Sequence, residues 1–264
     1  MEKLSVVKIG GNVLDNAEKL AVFIQQFAAL KGAKILVHGG GKIATELSDK
    51  LGIATQLVDG RRVTTADSLE VVTMVYAGLI NKNLVAKLQG LHTNAIGLSG
   101  ADANLIKAKK RVHPSIDFGF VGDLEETSVS AKQLKSLLDA GLCPVFSAIT
   151  HNGQGQLLNT NADTIASVIA LALSSIFETT LIYGFEKKGV LEDVANENSV
   201  IAHINQEEYI ELKNKGLIYS GMLPKLDAAF TALKGGIARV IIGDACEINQ
   251  LESPAGFGTS LTLN

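Results

Sequence analysis

Four charged side chains occupy places where their chemistry, more than their solubility, explains them. Lys8 is the one charge inside the apolar run Leu4-Ser5-Val6-Val7-Lys8-Ile9, which ends on Gly10-Gly11-Asn12. A lysine at the C-terminal end of a buried strand, beside a glycine turn that frees backbone N–H groups, is placed to hold phosphate. Asp163 closes the polar island Asn159-Thr160-Asn161-Ala162-Asp163, directly before a very apolar helix. Asn161 can cap that helix, and the helix dipole favours Asp163. Asn159 is surplus to capping, and Asp163 could also orient lysines or help hold Mg²⁺. Lys225 falls in the first turn of a helix after Ser220-Gly221-Met222-Leu223-Pro224. A cation is misplaced there on dipole grounds, so it is either solvated or faces an anion. Arg62, in Gly60-Arg61-Arg62-Val63-Thr64, could clamp a carboxylate bidentately or be an ordinary loop arginine.

A second glycine turn, Gly39-Gly40-Gly41, follows the run Ala33-Lys34-Ile35-Leu36-Val37-His38. Neither glycine turn is a Walker A loop, and neither is a GxGxxG fingerprint at the required place. His38 is read as a packed, neutral core histidine and not a base. No Ser or Cys nucleophile elbow is present, so a hydrolase triad is not supported.

The elements that must position these groups alternate. Strand-like runs at 3–9, 33–38, 95–98, 143–148, 180–183 and 239–243 are interleaved with helical periodicity at 16–31, 42–51, 65–90, 130–140, 164–174, 206–215 and 225–234. Short antiparallel pieces are expected at 105–108 and 118–124, and a last extended piece near 256–261. This pattern is α/β: a three-layer sandwich with a mostly parallel central sheet. Two lobes are expected, 1–174 and 175–264. The helix over 65–90 carries more apolar residues than one face needs, enough to bury against both the sheet and a second subunit.

The chain has 264 residues, 47% of them hydrophobic, and a net charge of −3. That supplies a large core but no basic field for nucleic acid or an anionic membrane, so the counter-charges for an anionic ligand must be local. Lys107, Lys109, Lys110 and Arg111 read as a solvated strand edge. Cys143 and Cys246 lack metal-type spacing, lie in apolar strand-like runs and are expected to be buried reduced thiols of a cytoplasmic protein. Only Met1-Glu2 precede the first strand, so no leader peptide is expected. The most apolar segment, Thr164 to Phe177, is shorter than the ~20 residues that span a bilayer.

Taken together, Val6–Asn12, Val37–Gly41, Gly60–Thr64, Gly97–Gly100, Leu158–Asp163 and Gly221–Lys225 resemble the motifs of the amino acid kinase family, in the family's order and over essentially the whole chain. The arginine loop followed by Asn-x-Asn-Ala-Asp favours the branch that acts on N-acylated glutamate. The resemblance implies transfer of the γ-phosphoryl of ATP, with Mg²⁺, to the side-chain carboxylate of N-acetyl-L-glutamate in arginine biosynthesis. Another acyl group, such as succinyl, and a catalytically inactive ligand-binding relative are the alternatives. Lys8 and Lys225 are implied as catalytic, with Asp163 holding both ammonium groups. Gly10 and Gly11 would meet the nucleotide phosphates, and Gly11 and Gly40 would donate N–H groups to the transferring phosphoryl. Gly40, Gly41, Arg62, Asn159 and Asn161 would hold the acyl amino acid. ATP would also contact Glu186, Gly189, Leu191, Leu217, Ile218 and Tyr219 of the C-terminal lobe, and no protein-built metal site is expected. Glu186 stands where the family usually carries Asp, and Lys42 where it commonly carries Pro. The lack of an extra N-terminal helix implies a homodimer without arginine feedback.

Overall fold

In the computed structural model, residues 1–58, 61–193, 195–216, 218, 222–253 and 256–264 are described, apart from the side chains of Pro224 and Glu252. In chain order the elements are β1 (Lys3–Ile9), α1 (Gly11–Leu14), α2 (Ala17–Ala29), β2 (Ala33–His38), α3 (Gly41–Lys50), β3 (Gln56–Val58), β4 (Arg61–Val63), α4 (Ala66–Thr73), a π-helical stretch (Met74–Ile80), α5 (Asn81–Gln89), β5 (Ala95–Leu98), β6 (Lys109–Lys110), β7 (Val121–Asp123), α6 (Ala131–Asp139), β8 (Cys143–Ser147), β9 (Ile149–His151), β10 (Leu157–Thr160) and α7 (Ala162–Leu173). They continue as β11 (Glu178–Phe185), β12 (His203–Ile204), α8 (Gln206–Asn214), α9 (Leu223–Lys234), β13 (Arg239–Asp244) and β14 (Thr259–Leu261).

The main sheet has eight strands in the order β12-β14-β13-β11-β1-β2-β8-β5. Every pair is parallel except β13–β14. Parallel strands bury both faces, so they read as continuous aliphatic runs. β1 fits that rule: Leu4, Val6, Val7 and Ile9 are all buried. One helical layer is formed by α6, α7 and α9, which pack on one another and on β8, β1, β2, β11 and β13; α2, α5 and the 3-10 turn Ala245–Glu252 form the other. The expected three-layer sandwich is therefore present. The sheet runs without a break across the expected boundary near residue 174, four strands from each side.

A second sheet, β6-β7-β10-β9, sits beside the main one, and β3–β4 form a separate hairpin. The strand expected at 105–108 is not formed. Ile106 and Lys107 make only isolated bridges to Val129 and His151, because Leu105 N–H and Ile106 N–H are spent on Asp102 and Gly100 carbonyls; the ladder starts at Lys109. Cys246 is also corrected: it lies half-buried in the 3-10 turn after β13, where Asp244 caps the turn by accepting from Cys246 N–H at 2.8 Å. Cys143 is buried on β8 as expected, and burial pushes its thiol up to about 12 against the opposing pull of Lys34.

The long helix starts where Thr65 accepts from Ser68 N–H at 3.2 Å. Its middle is π-helical, which winds more residues into each turn than the α-helix. Val75, Tyr76 and Ile80 of this stretch are buried, and Met74 and Leu79 are more than half exposed.

Gly119 ties the second sheet to the start of this helix. Thr64 N–H bonds Phe118 O, Phe120 N–H bonds Thr64 O, and Gly119 takes φ +70° between them. A Cβ on Gly119 would collide with the Thr64 carbonyl. Gly119→Ala should therefore cost about 1–3 kcal/mol in denaturant unfolding. A change below a few tenths would show that this contact does not constrain the fold.

Candidate active site

Chain connections leave β1 and β11 in opposite directions across the sheet: β1 leads to β2 on one side and β11 to β13 on the other. The crevice outside the carboxyl ends of two such strands is where open α/β sheets bind ligands. Lys8 and Tyr183 are register partners there, and Gly10 N–H donates to Gly184 O at 3.2 Å. The expected turn at Gly10-Gly11 is present, with Gly10 extended and α1 beginning at Gly11. A Cβ on Gly10 would meet nothing closer than 4.0 Å, so protein packing does not demand glycine there and the backbone stays open to a ligand.

Lys8 Nζ lies 2.8 Å from Asp163 Oδ1. Asp163 is presented by the N-terminus of α7, whose cap is Asn161: its side-chain oxygen accepts from Asp163 N–H at 2.8 Å and Thr164 N–H at 3.1 Å. The N-terminus of α7 and the Lys8 ammonium both place positive charge beside Asp163. The capping reading of Asn161 thus holds, Asp163 lies against Lys8, and Asn161 also lines the adjoining cleft.

Lys225 is in the first turn of α9, with its Nζ 4.4 Å from the centroid of the Phe185 ring. Its side chain borders solvent, yet surrounding protein depletes enough water to lower its pKa, and the Lys8 charge lowers it further. Asp163 and Glu186 pull it back up. Lys225 is thus exposed to water and also within the electrostatic reach of Asp163 and Glu186. At Glu186, burial opposes ionisation, but hydrogen bonds from Asn12 and its own backbone, with Lys225 and Lys19 nearby, hold the carboxyl below its ordinary value. Two lysines and two carboxylates thus meet at the switch point. Asn12, quoted in the sequence motif without a role, joins the turn after β1 to the loop after β11.

A cleft of about 200 Å³ opens beside this cluster, lined by Gly39, Gly40, Gly41, Arg62, Asn159 and Asn161, and also by Tyr76 and Arg111. Gly40 has φ +150°, and a Cβ there would collide with Ile80 and come within 3.1 Å of the Tyr76 ring. Asn159 Nδ2 donates to Thr64 Oγ1 at 3.0 Å. Arg62 is buried and braced: Nη1 donates to Thr55 Oγ1 at 3.0 Å, and Nη2 to Gly41 O at 3.0 Å and Thr45 Oγ1 at 2.7 Å. Either fork that a guanidinium offers uses Nη2, and both Nη2 protons are spent. The expected bidentate clamp is therefore not presented here, and Arg62 offers single N–H groups. The basic cluster divides. Lys109 pairs with exposed Glu125 at 2.6 Å, whereas Arg111, held by Asp123 through Nε at 3.0 Å, reaches the cleft.

His38 is fully buried, and that burial brings its pKa down to about 4. Its Nδ1 is 2.9 Å from Gly39 O, and its Nε2 is 3.1 Å from Asn81 Nδ2, which also donates to Val145 O at 2.8 Å. An amide nitrogen only donates, so Nε2 accepts and the proton is assigned to Nδ1. The ring is neutral and anchors the glycine turn, as the core-histidine reading expects.

The expected nucleotide residues are dispersed. Glu186 is in the cluster. Gly189 packs under β14, where a Cβ would come within 2.7 Å of Thr259 Oγ1, and Leu191 bridges Val200. Ile218 is buried in the core. Leu217 and Tyr219 lie outside the described residues, as do Gly60, Ser220 and Gly221 of the motifs.

Residues 3–244 match the model of the amino acid kinase family. The chain belongs to that family. Among its relatives, an acetylglutamate kinase of Cytophaga hutchinsonii is 52% identical, with all of both chains covered. An acetylglutamate kinase of Parabacteroides distasonis is 50% identical over 95% of this chain and 97% of its own. The crystal structure of smu.665 from Streptococcus mutans UA159 is similar at a TM-score of 0.76 and 25% identity, over 99% of each chain.

The buried histidine makes stability pH-dependent. Its folded value of about 4 lies below the ordinary 6.5, so its contribution is complete above 6.5 and declines as pH falls toward 4. Between pH 7 and pH 5 the unfolding free energy should drop by about 2 kcal/mol from this group. His38→Gln should lack that drop in denaturant unfolding at the two pH values; an identical drop in both proteins would contradict the buried, neutral ring.

Proposed function

We propose that this chain transfers the γ-phosphoryl of ATP to the side-chain carboxylate of N-acetyl-L-glutamate, giving an acyl phosphate for arginine biosynthesis. The observation that carries the reading is the Lys8–Asp163 pair with Lys225 at the switch point, opening on a cleft that contains Arg62. Full-length relatives named acetylglutamate kinase support the same acceptor.

The acceptor carboxylate is ionised at neutral pH, with an ordinary pKa of ~4.3. No general base is then required, and neutral His38 is not asked to be one. What the reaction needs is in-line placement of two anionic groups and compensation of their charge. Lys8, at the end of β1, would neutralise charge between the nucleotide and the transferring group. Lys225 would do so on the leaving side, and Asp163 would fix the spacing of the two ammonium groups. Backbone N–H groups of Gly11 and Gly40 would meet the oxygens of the transferring phosphoryl, acting as a preorganised anion hole. Gly40, Gly41, Arg62, Asn159 and Asn161 would hold the acyl amino acid. Gly10 and Glu186 would face the nucleotide side, with Gly189, Leu191, Leu217, Ile218 and Tyr219 assigned to the wider ATP site.

Among the described residues no cluster of three or more His, Cys, Asp or Glu side chains could hold a metal. Mg²⁺ fits best as a companion of the nucleotide phosphates, whose charge it would neutralise, with Asp163 and Glu186 as the nearby carboxylates.

The same proposal assigns acceptor binding and dimerisation to 1–174 and ATP binding to 175–264. Exposed Met74 and Leu79 on the long helix support a homodimer formed through that face. The two free thiols fit a cytoplasmic location. No described helix is long and apolar enough to cross a membrane.

With saturating ATP and Mg²⁺, N-acetyl-L-glutamate should yield an acyl phosphate trapped by hydroxylamine. Lys8→Ala should lower kcat by at least about 100-fold while keeping the thermal midpoint. No hydroxamate from any N-acylglutamate would sink the proposal, and a wild-type rate in the variant would remove Lys8 from the mechanism.

A further inference from the structure

The underwound stretch Met74–Ile80 places one polar atom in the acceptor cleft that no motif names. Tyr76 is buried, its ring lies against Gly40, and its hydroxyl lines the cleft 3.8 Å from where a Gly41 side chain would begin. The Arg62 guanidinium lines the same cleft and lies near enough to oppose the rise in the phenol's pKa that burial causes. A guanidinium has no acceptor, so the phenol proton is not spent on Arg62. Among the described residues no other group takes that proton in a hydrogen bond.

The donor count at Arg62 makes the leftover proton matter. Three of its five N–H groups are spent on Thr55, Thr45 and Gly41 O, both of those on Nη2 included. The two that remain, on Nε and Nη1, do not form a fork, whereas a carboxylate presents two oxygens. We propose that the Tyr76 hydroxyl supplies the missing donor, so that Arg62 and Tyr76 each hold one oxygen of the substrate's α-carboxylate. This rests on the acylglutamate kinase reading. Tyr76 is then a binding and specificity residue, selecting substrates with a carboxylate at that end. Its helix delivers the hydroxyl there because the π turn brings Tyr76 and Ile80 together beneath Gly40.

The test is Tyr76→Phe, which keeps the ring and deletes the hydroxyl. Equal thermal midpoints without ligand show that the ring still packs. In calorimetry, N-acetyl-L-glutamate should bind the variant about tenfold more weakly, the loss typical of one hydrogen bond to a charged group. In turnover its KM should rise by a similar factor, with kcat within about twofold and the KM for ATP unchanged, the signature of lost uniform binding. 4-Acetamidobutanoate, which lacks the α-carboxylate, should bind both proteins equally. An unchanged Kd for N-acetyl-L-glutamate, or an equal loss with 4-acetamidobutanoate, overturns the assignment, as does a wild-type protein that binds neither. Binding without turnover in the wild type would defeat the kinase reading while the Kd ratio still judges Tyr76. If Tyr76→Phe does not fold, the same two ligands are compared on protein carrying 3-fluorotyrosine. A more acidic phenol there should shift the pH dependence of binding for N-acetyl-L-glutamate only, and the absence of such a shift overturns the assignment.

Discussion

A single ion pair between the end of β1 and the start of α7 sets the geometry of the site. Lys8 and Asp163 stand 2.8 Å apart with side chains 18% and 42% exposed. A pair that open to water contributes about 0–1 kcal/mol to stability, far less than the aliphatic core around it. The pair is better understood as placement. It holds an ammonium group at the switch point of the sheet, beside the N-terminal turn of α1. The repulsion that Lys225 feels from Lys8 is opposed by Asp163 and Glu186. A bound polyphosphate would find those cations already assembled.

The cleft beside this pair is organised by a different device. The turn Gly39-Gly40-Gly41 is held from below by neutral His38, which Asn81 fixes in turn, and from the side by Ile80 and Tyr76. Tyr76 and Ile80 belong to the π-helical stretch, and Asn81 is the first residue of the α-helix that follows it. The strain of φ +150° at Gly40 is of the kind that clusters at ligand sites. Arg62 belongs to the same assembly, for its bonds to Gly41 O and Thr45 bind the hairpin β3–β4 to α3.

Much of this was legible in the chain. Lys8, the glycine turns and Asp163 stand out because a strand or helix period makes a misplaced charge visible, and Lys225 because a cation opposes the dipole of its own helix. The α/β alternation carried the fold class and most element boundaries. The unreadable parts have physical causes. Tyr76 was hidden because the π stretch breaks the 3.6-residue period that separates core from surface. The bracing of Arg62 depends on Thr45 and Thr55, brought together only by tertiary packing. The continuity of the sheet across residue 174 rests on the β1–β11 pairing, far apart in sequence. Cys246 follows a strand closely enough to read as part of it, and only the Asp244 cap turns the chain away.

The central claim is that Asp163 acts by holding the lysines. A double-mutant cycle on kcat/KM with Lys8→Met, Asp163→Asn and the double variant measures it directly. Residues that act as a unit are strongly non-additive. The double variant should therefore lose at least about tenfold less than the product of the two single losses. Losses that simply multiply would mean that Lys8 and Asp163 work independently, and would contradict the account.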